Sequence, residues 1–120
     1  MAEHNELGKS GEEIACDLLL KKGYLLLEKN WQHRNDEVDI IARQGNTLVI
    51  IEVKTRSTKY FGEPEVFVTR KKQQFMIRAA NAYISIHNIN YETRFDIIAI
   101  VQYNGQVNIK HIEDAFYATL

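Results

Sequence analysis

The run Leu48-Val49-Ile50-Ile51, continued by Glu52-Val53-Lys54, constrains this chain more than any other segment. Four consecutive apolar residues, three of them β-branched, read as a strand buried on both faces of a sheet. Two residues apart, Glu52 and Lys54 then place opposite charges on one face of that strand. Upstream, Val38, Ile40 and Ile41 form a second apolar segment, interrupted by Asp39. Gly45-Asn46 between the two segments is a two-residue hairpin signal. With Gln44 paired to Thr47, counting outward sets Asp39 opposite Glu52. Directly opposed residues have Cβ atoms about 4.5–5.5 Å apart, so both carboxylates reach one cation. Like charges facing each other in a buried sheet need compensation, and a divalent metal supplies it. The competing reading makes Glu52 and Lys54 the solvent face of an edge strand, with Glu37 and Asp39 there for solubility.

The remaining elements follow from periodicity. From Glu6 to Lys22, Ile14, Ala15, Leu18 and Leu19 fall at helical spacing, with Gly23 as the stop. Gly8, Gly11 and Ala15 give that helix a small-residue stripe. A glycine inside a helix costs about 1 kcal/mol relative to alanine, so the stripe predicts close approach to a neighbouring backbone. Glu12 stands at its rim, facing the sheet or, alternatively, solvent. Tyr24–Leu27 reads as the first strand. Residues 55–68 read as the longest irregular stretch, holding the only proline, Pro64. Thr69 caps a second helix running to about Ile86, whose Phe75, Met76, Ala79, Ala80, Tyr83 and Ile84 read as core. Phe95 and Ile97–Val101 make a further strand, Val107–Ile109 a short last one, and Ala115-Phe116-Tyr117 a closing helical turn. The order α-β-β-β-α-β predicts an α/β fold with a mixed sheet flanked by helices, and residues 1–120 form one domain.

Composition narrows the function classes. At 45% hydrophobic and 26% charged residues the chain is globular rather than disordered. No apolar run reaches the roughly 18–20 residues of a membrane span, and the N-terminus lacks signal-peptide features. A cytoplasmic protein with no membrane partner is therefore expected. The single cysteine, Cys16, reads as a small packing residue. The four histidines lack zinc-like spacing, and no glycine-rich phosphate loop is present. Residues 54–78 carry seven lysines and arginines against two glutamates, a net +5; with a total of −1, the rest of the chain carries −6. A basic segment beside an acidic one suits an anionic polymer next to a metal site. Arg56, on the face of Glu52 and Lys54, and Lys71 and Lys72, at the start of the second helix, are the candidate phosphate contacts. Alternatively, the two lysines only solvate that helix.

Taken together, Gly8-x-x-Gly11-Glu12-x-x-Ala15, Asn30-Trp31, Glu37-Val38-Asp39-Ile40-Ile41 and Glu52-Val53-Lys54-Thr55-Arg56 resemble the PD-(D/E)XK nuclease superfamily. Phe61-Gly62-x-Pro64, Lys72, Arg94-Phe95-Asp96 and Ala115-Phe116 extend the likeness to the YraN-like bacterial family, itself similar to archaeal Holliday-junction resolvases. Two departures are mild: Asp36 stands where a glycine usually precedes the motif, adding negative charge near the site, and Val38 replaces isoleucine. The resemblance implies a restriction-endonuclease-like fold and metal-dependent cleavage of DNA, branched or structured. It implies Asp39, Glu52 and the Val53 carbonyl as ligands of Mg²⁺ or Mn²⁺, Glu12 as a further acid, and Lys54 as the residue acting on the attacking water or the phosphate. Other readings stay open: a nucleic-acid-binding module without useful turnover, an interaction protein of a DNA-processing complex, and a homodimer.

Overall fold

The computed structural model describes residues 10–57 and 68–118. Ser10 opens α1 (Gly11–Lys21) with a capping box. Its hydroxyl accepts from the Glu13 amide and the Glu13 carboxylate accepts from the Ser10 amide, which satisfies two otherwise orphaned donors. Three antiparallel strands follow, β1 (Leu25–His33), β2 (Asp36–Gln44) and β3 (Thr47–Arg56). Helix α2 (Arg70–His87) starts at Thr69, whose hydroxyl accepts from the Lys72 amide, as the sequence predicts. It carries the chain to β4 (Glu92–Tyr103), which lies parallel to β3, and β5 (Gln106–Phe116) closes the far edge antiparallel to β4. The sheet order is β1-β2-β3-β4-β5, a mixed sheet with one parallel pair at its centre.

The two helices cover opposite faces. Ile14, Ala15, Cys16 and Leu19 of α1 pack on Ile40, Ala42, Val49, Ile51, Ile98 and Ile100. Met76, Ala79, Ala80 and Tyr83 of α2 pack on Val38, Ile41, Leu48, Ile50, Phe95 and Ile97. Burial on both faces is why β3 and β4 read as nearly continuous apolar runs. As the small-residue stripe predicts, α1 comes close to the sheet: a Cβ on Gly11 would overlap Thr55 Oγ1 of β3. The start of the predicted helix, including Gly8, and the Phe61-Gly62-x-Pro64 segment lie outside the described residues.

Two expectations are corrected at the edges. Strand β1 runs through Trp31 to His33 rather than ending at Leu27. Strand β5 spans eleven residues, not Val107–Ile109, and Ala115-Phe116 belongs to it rather than to a helical turn. An edge strand exposed along most of its length has no apolar run to announce it. What fixes it is distant in sequence. The Phe116 ring stacks on Phe95, with centroids 5.0 Å apart, and Asp114 takes a left-handed φ of 58° where the register with β4 shifts.

Candidate active site at the fork between β2 and β3

The hairpin register is the one counted from the sequence. Gln44 pairs with Thr47 across Gly45, whose φ is 58°, and the ladder runs outward to Ile40 and Ile51. There it stops, one residue short of Asp39 and Glu52. In an antiparallel ladder alternate pairs exchange backbone bonds, so the next exchange after Ile40–Ile51 would join Val38 to Val53. Instead the Val53 amide donates to Asp39 Oδ2 at 2.7 Å. The side chain of Asp39 thus takes the place of a backbone acceptor and opens a fork between the strands.

A change of face in β2 causes this. Val38 and Ile41 both pack toward α2 while Ile40 packs toward α1, an arrangement that strict alternation forbids. Asp39 occupies the switch. Across from it on β1, Asn30 has a left-handed φ of 53°. A residue's N–H and C=O project to the same side of a strand, so the Val53 carbonyl also faces the fork.

Glu52 projects from β3 on the α2 side, in step with Leu48 and Ile50. It is one of three buried polar residues among those described, at 7% exposure. Lys72 Nζ of α2 lies 3.6 Å from Glu52 Oε1, and Lys54 Nζ lies 4.0 Å from Oε2. Both distances are ion pairs too long to be hydrogen bonds, and among the described residues Glu52 Oε1 is left buried without a hydrogen-bond partner. Burial, followed by the charge of Asp39, pushes the Glu52 carboxyl up to about 7. The Lys72 and Lys54 ammoniums pull the other way. An acid buried beside another acid, with two cations failing to satisfy it, is a polar group that demands an explanation.

The predicted site residues thus fall into two groups. Asp39, Glu52, Val53 and Lys54 converge on the fork, and Lys72 joins them, not as a free surface cation but as a direct neighbour of Glu52 and of the Glu37 carbonyl at 3.5 Å. Glu12 stays apart: it is half-buried in the first turn of α1, over the opposite face, and no group of three His, Cys, Asp or Glu side chains gathers among the described residues. Arg56 is half-buried at the end of β3, its Nη1 donating to the Thr55 carbonyl. Lys71 is exposed and stands over the Phe75 ring. The extra charge of Asp36 is neutralised by a bidentate pair with Arg78, at 2.8 and 3.1 Å. Asp39, Glu52 and the Val53 carbonyl offer oxygen donors only. Mg²⁺ binds through one or two carboxylates, retaining waters for substrate phosphate, so the donor set fits such an ion.

Sequence reading missed a second polar centre. Asp96, fully buried, accepts from Arg94 Nε and Nη2 at 2.9 Å each, from the Asp114 amide at 3.0 Å, and meets His111 Nε2 at 2.7 Å. Arg94 also donates to Gln44 and Tyr24, and Lys22 Nζ lies 2.7 Å from His111 Nδ1. Burial works against the Asp96 charge, but the bonds from His111, Arg94 and the Asp114 amide outweigh it and hold the carboxyl below the ordinary range. Every Asp96 oxygen is satisfied, unlike Oε1 of Glu52. This network stitches β5 to β4 at their register shift and leaves nothing for a ligand. The motif Arg94-Phe95-Asp96 was visible in the sequence; its partners, Tyr24 ahead of β1, Gln44 at the end of β2, and His111 and Asp114 of β5, were not.

Among the described residues no helix is long and apolar enough to cross a membrane. Residues 11–100 match the model of the family described as "Uncharacterised protein family UPF0102". A UPF0102 protein of Flavobacterium psychrophilum is 50% identical over 117 residues, covering 98% of each chain. One from Bacteroides thetaiotaomicron is 48% identical over 120 residues, covering 100% of this chain and 99% of its own. One from Thermodesulfovibrio yellowstonii is 50% identical over 112 residues, covering 93% of this chain and 96% of its own.

Proposed function

The chain belongs to the UPF0102 family, and we propose that it is a metal-dependent endonuclease acting on DNA, with branched or structured DNA as its preferred substrate. The observation that carries this reading is the buried Glu52 Oε1, without a hydrogen-bond partner among the described residues, beside Asp39 at the open end of the β2–β3 ladder. A regular hairpin has no reason to end in two acids. One that holds a divalent cation does.

Asp39, Glu52 and the Val53 carbonyl would hold Mg²⁺ or Mn²⁺, which when bound supplies charge neutralisation at a phosphate and lowers the pKa of bound water. The rest is done by the chain. Asp39 is already fixed by the Val53 amide, so a ligand oxygen is positioned before anything binds. Lys54, two residues from Glu52 on the same face, meets the scissile phosphate or holds the attacking water without displacing a ligand. Glu12 acts more remotely, through water. Arg56 and Lys71 contact flanking phosphates, which adds affinity without sequence preference. We place the protein in the cytoplasm. It acts as a homodimer where a junction is cut symmetrically.

The test is a cleavage assay with labelled linear, flapped and four-way DNA in Mg²⁺, in Mn²⁺ and in EDTA. Metal-dependent nicking by the parent, lost in Glu52→Ala, is the expected result. Cleavage by Glu52→Ala at the parent's rate, or no cleavage of any substrate by a folded, metal-loaded parent, refutes the proposal.

A further inference from the structure

Resting on the reading of Asp39 and Glu52 as a cation site, we infer that Lys72 is a displaceable counter-ion, which holds Glu52 in the metal-free protein and passes to a substrate phosphate when a divalent cation arrives. Three observations lead there. Lys72 comes from α2, a different element from the acids, and its ammonium lies 3.6 Å from the same Oε1 that lacks a hydrogen-bond partner. Among the described residues its ammonium makes one hydrogen bond, a long one of 3.5 Å to the Glu37 carbonyl. Its backbone, by contrast, is fixed: it is the third residue of α2, and its amide donates to the Thr69 cap at 3.0 Å. The stem is therefore held at its base and weakly held at its tip.

A cation at Glu52 Oε1 and the Lys72 ammonium compete for the same oxygen, and two positive charges repel strongly in a partly desolvated pocket. The ion's entry drives the ammonium outward. A four-carbon stem allows that movement, and a compact ammonium with three donors suits a phosphate oxygen at the pocket's mouth. Lys54 cannot play this part, because it sits on β3 beside Glu52 and is 4.0 Å from the other oxygen, Oε2. Exchange at Lys72 makes the two ligands cooperative, since the metal releases the group that the phosphate needs.

Four proteins test this: the parent, Lys72→Met, Lys72→Gln and Glu52→Gln, with thermal melts to establish folding. Mn²⁺ alone is titrated calorimetrically into each. Binding of a labelled four-way DNA junction is then measured in EDTA and in Ca²⁺. The exchange predicts Mn²⁺ affinity at least about fivefold higher in Lys72→Met than in the parent, the low end of coupling between sites. It also predicts DNA binding equal to the parent's in EDTA but weaker in Ca²⁺. Mn²⁺ affinity equal to or below the parent's, or an equal DNA deficit with and without Ca²⁺, overturns the exchange while leaving the metal site standing. No Mn²⁺ binding by the parent, matching Glu52→Gln, overturns both the metal site and the exchange.

Discussion

Replacing Glu52 by glutamine in the metal-free protein should stabilise it, by an amount that depends on pH. The carboxyl is raised from 4.5 to about 7 in the folded protein by burial and by the Asp39 charge. The folded state therefore holds the proton more tightly than the unfolded chain. Below 4.5 both states are protonated and this group costs nothing. As pH rises toward 7 the unfolded chain releases its proton first, and stability falls until the folded carboxyl also ionises. Each pKa unit is about 1.4 kcal/mol, so the rise is worth roughly 3 kcal/mol of lost stability above pH 7. Glutamine has nearly the same shape and never ionises. Urea denaturation in EDTA should show the two proteins level below pH 4.5 and the variant ahead by about 3 kcal/mol above pH 7. Mg²⁺ at about 1,000 times its Kd should reverse the order, because a ligand that binds only the folded state then adds about 4.1 kcal/mol to the parent. A difference that does not vary with pH, or a Glu52→Gln protein less stable than its parent above pH 7, would refute the idea that the site carries an uncompensated acid.

Asp39→Asn should retain the bond from the Val53 amide, because the amide oxygen still accepts, so its metal-free stability should change by less than about 1 kcal/mol while its Mg²⁺-induced rise in melting temperature disappears; a larger loss makes Asp39 a structural residue. Asp96→Ala should cost about 3–5 kcal/mol by chemical denaturation, since it strands the Arg94 guanidinium in a buried network, whereas a loss below about 1 kcal/mol would deny the network its role. Because the Asp96 carboxyl is held below its usual range, the stability it confers should be present above pH 3.8 and vanish as pH falls further, a step absent from an Asp96→Asn protein. Gly11→Ala, which in an open helix would gain about 1 kcal/mol, should instead destabilise by about 1–3 kcal/mol, with most of the loss recovered in the Gly11→Ala/Thr55→Ala double variant; an additive pair would show that the contact with Thr55 Oγ1 carries no strain. Lys71→Ala should weaken binding to all DNA sequences alike and lower the dependence on salt by about one counterion, against no change if Lys71 only solvates α2.

What the sequence disclosed was local or periodic. The turn at Gly45-Asn46 set the β2–β3 register, and counting from it found the acid pair. Thr69 announced α2, and the glycine stripe announced the contact with Thr55. Hidden features depend on residues far apart in the chain. Nothing near Asp39 says that β2 changes face there, because the switch is made against Asn30 of β1. Lys72 looked like one more basic residue at a helix start; only the packing of α2 across β2 and β3 brings its ammonium to Glu52. Strand β5 went unread over most of its length because its stability comes from Phe95 and Asp96 rather than from its own composition.

Crystals of the protein soaked in Mn²⁺ and measured at a wavelength where manganese scatters anomalously test the central claim most directly. An anomalous peak within coordination distance of the Asp39 and Glu52 carboxylates and the Val53 carbonyl, absent from Glu52→Gln crystals, is the predicted result. No peak at the fork under saturating Mn²⁺, with the two carboxylates ordered and open to solvent, would contradict it.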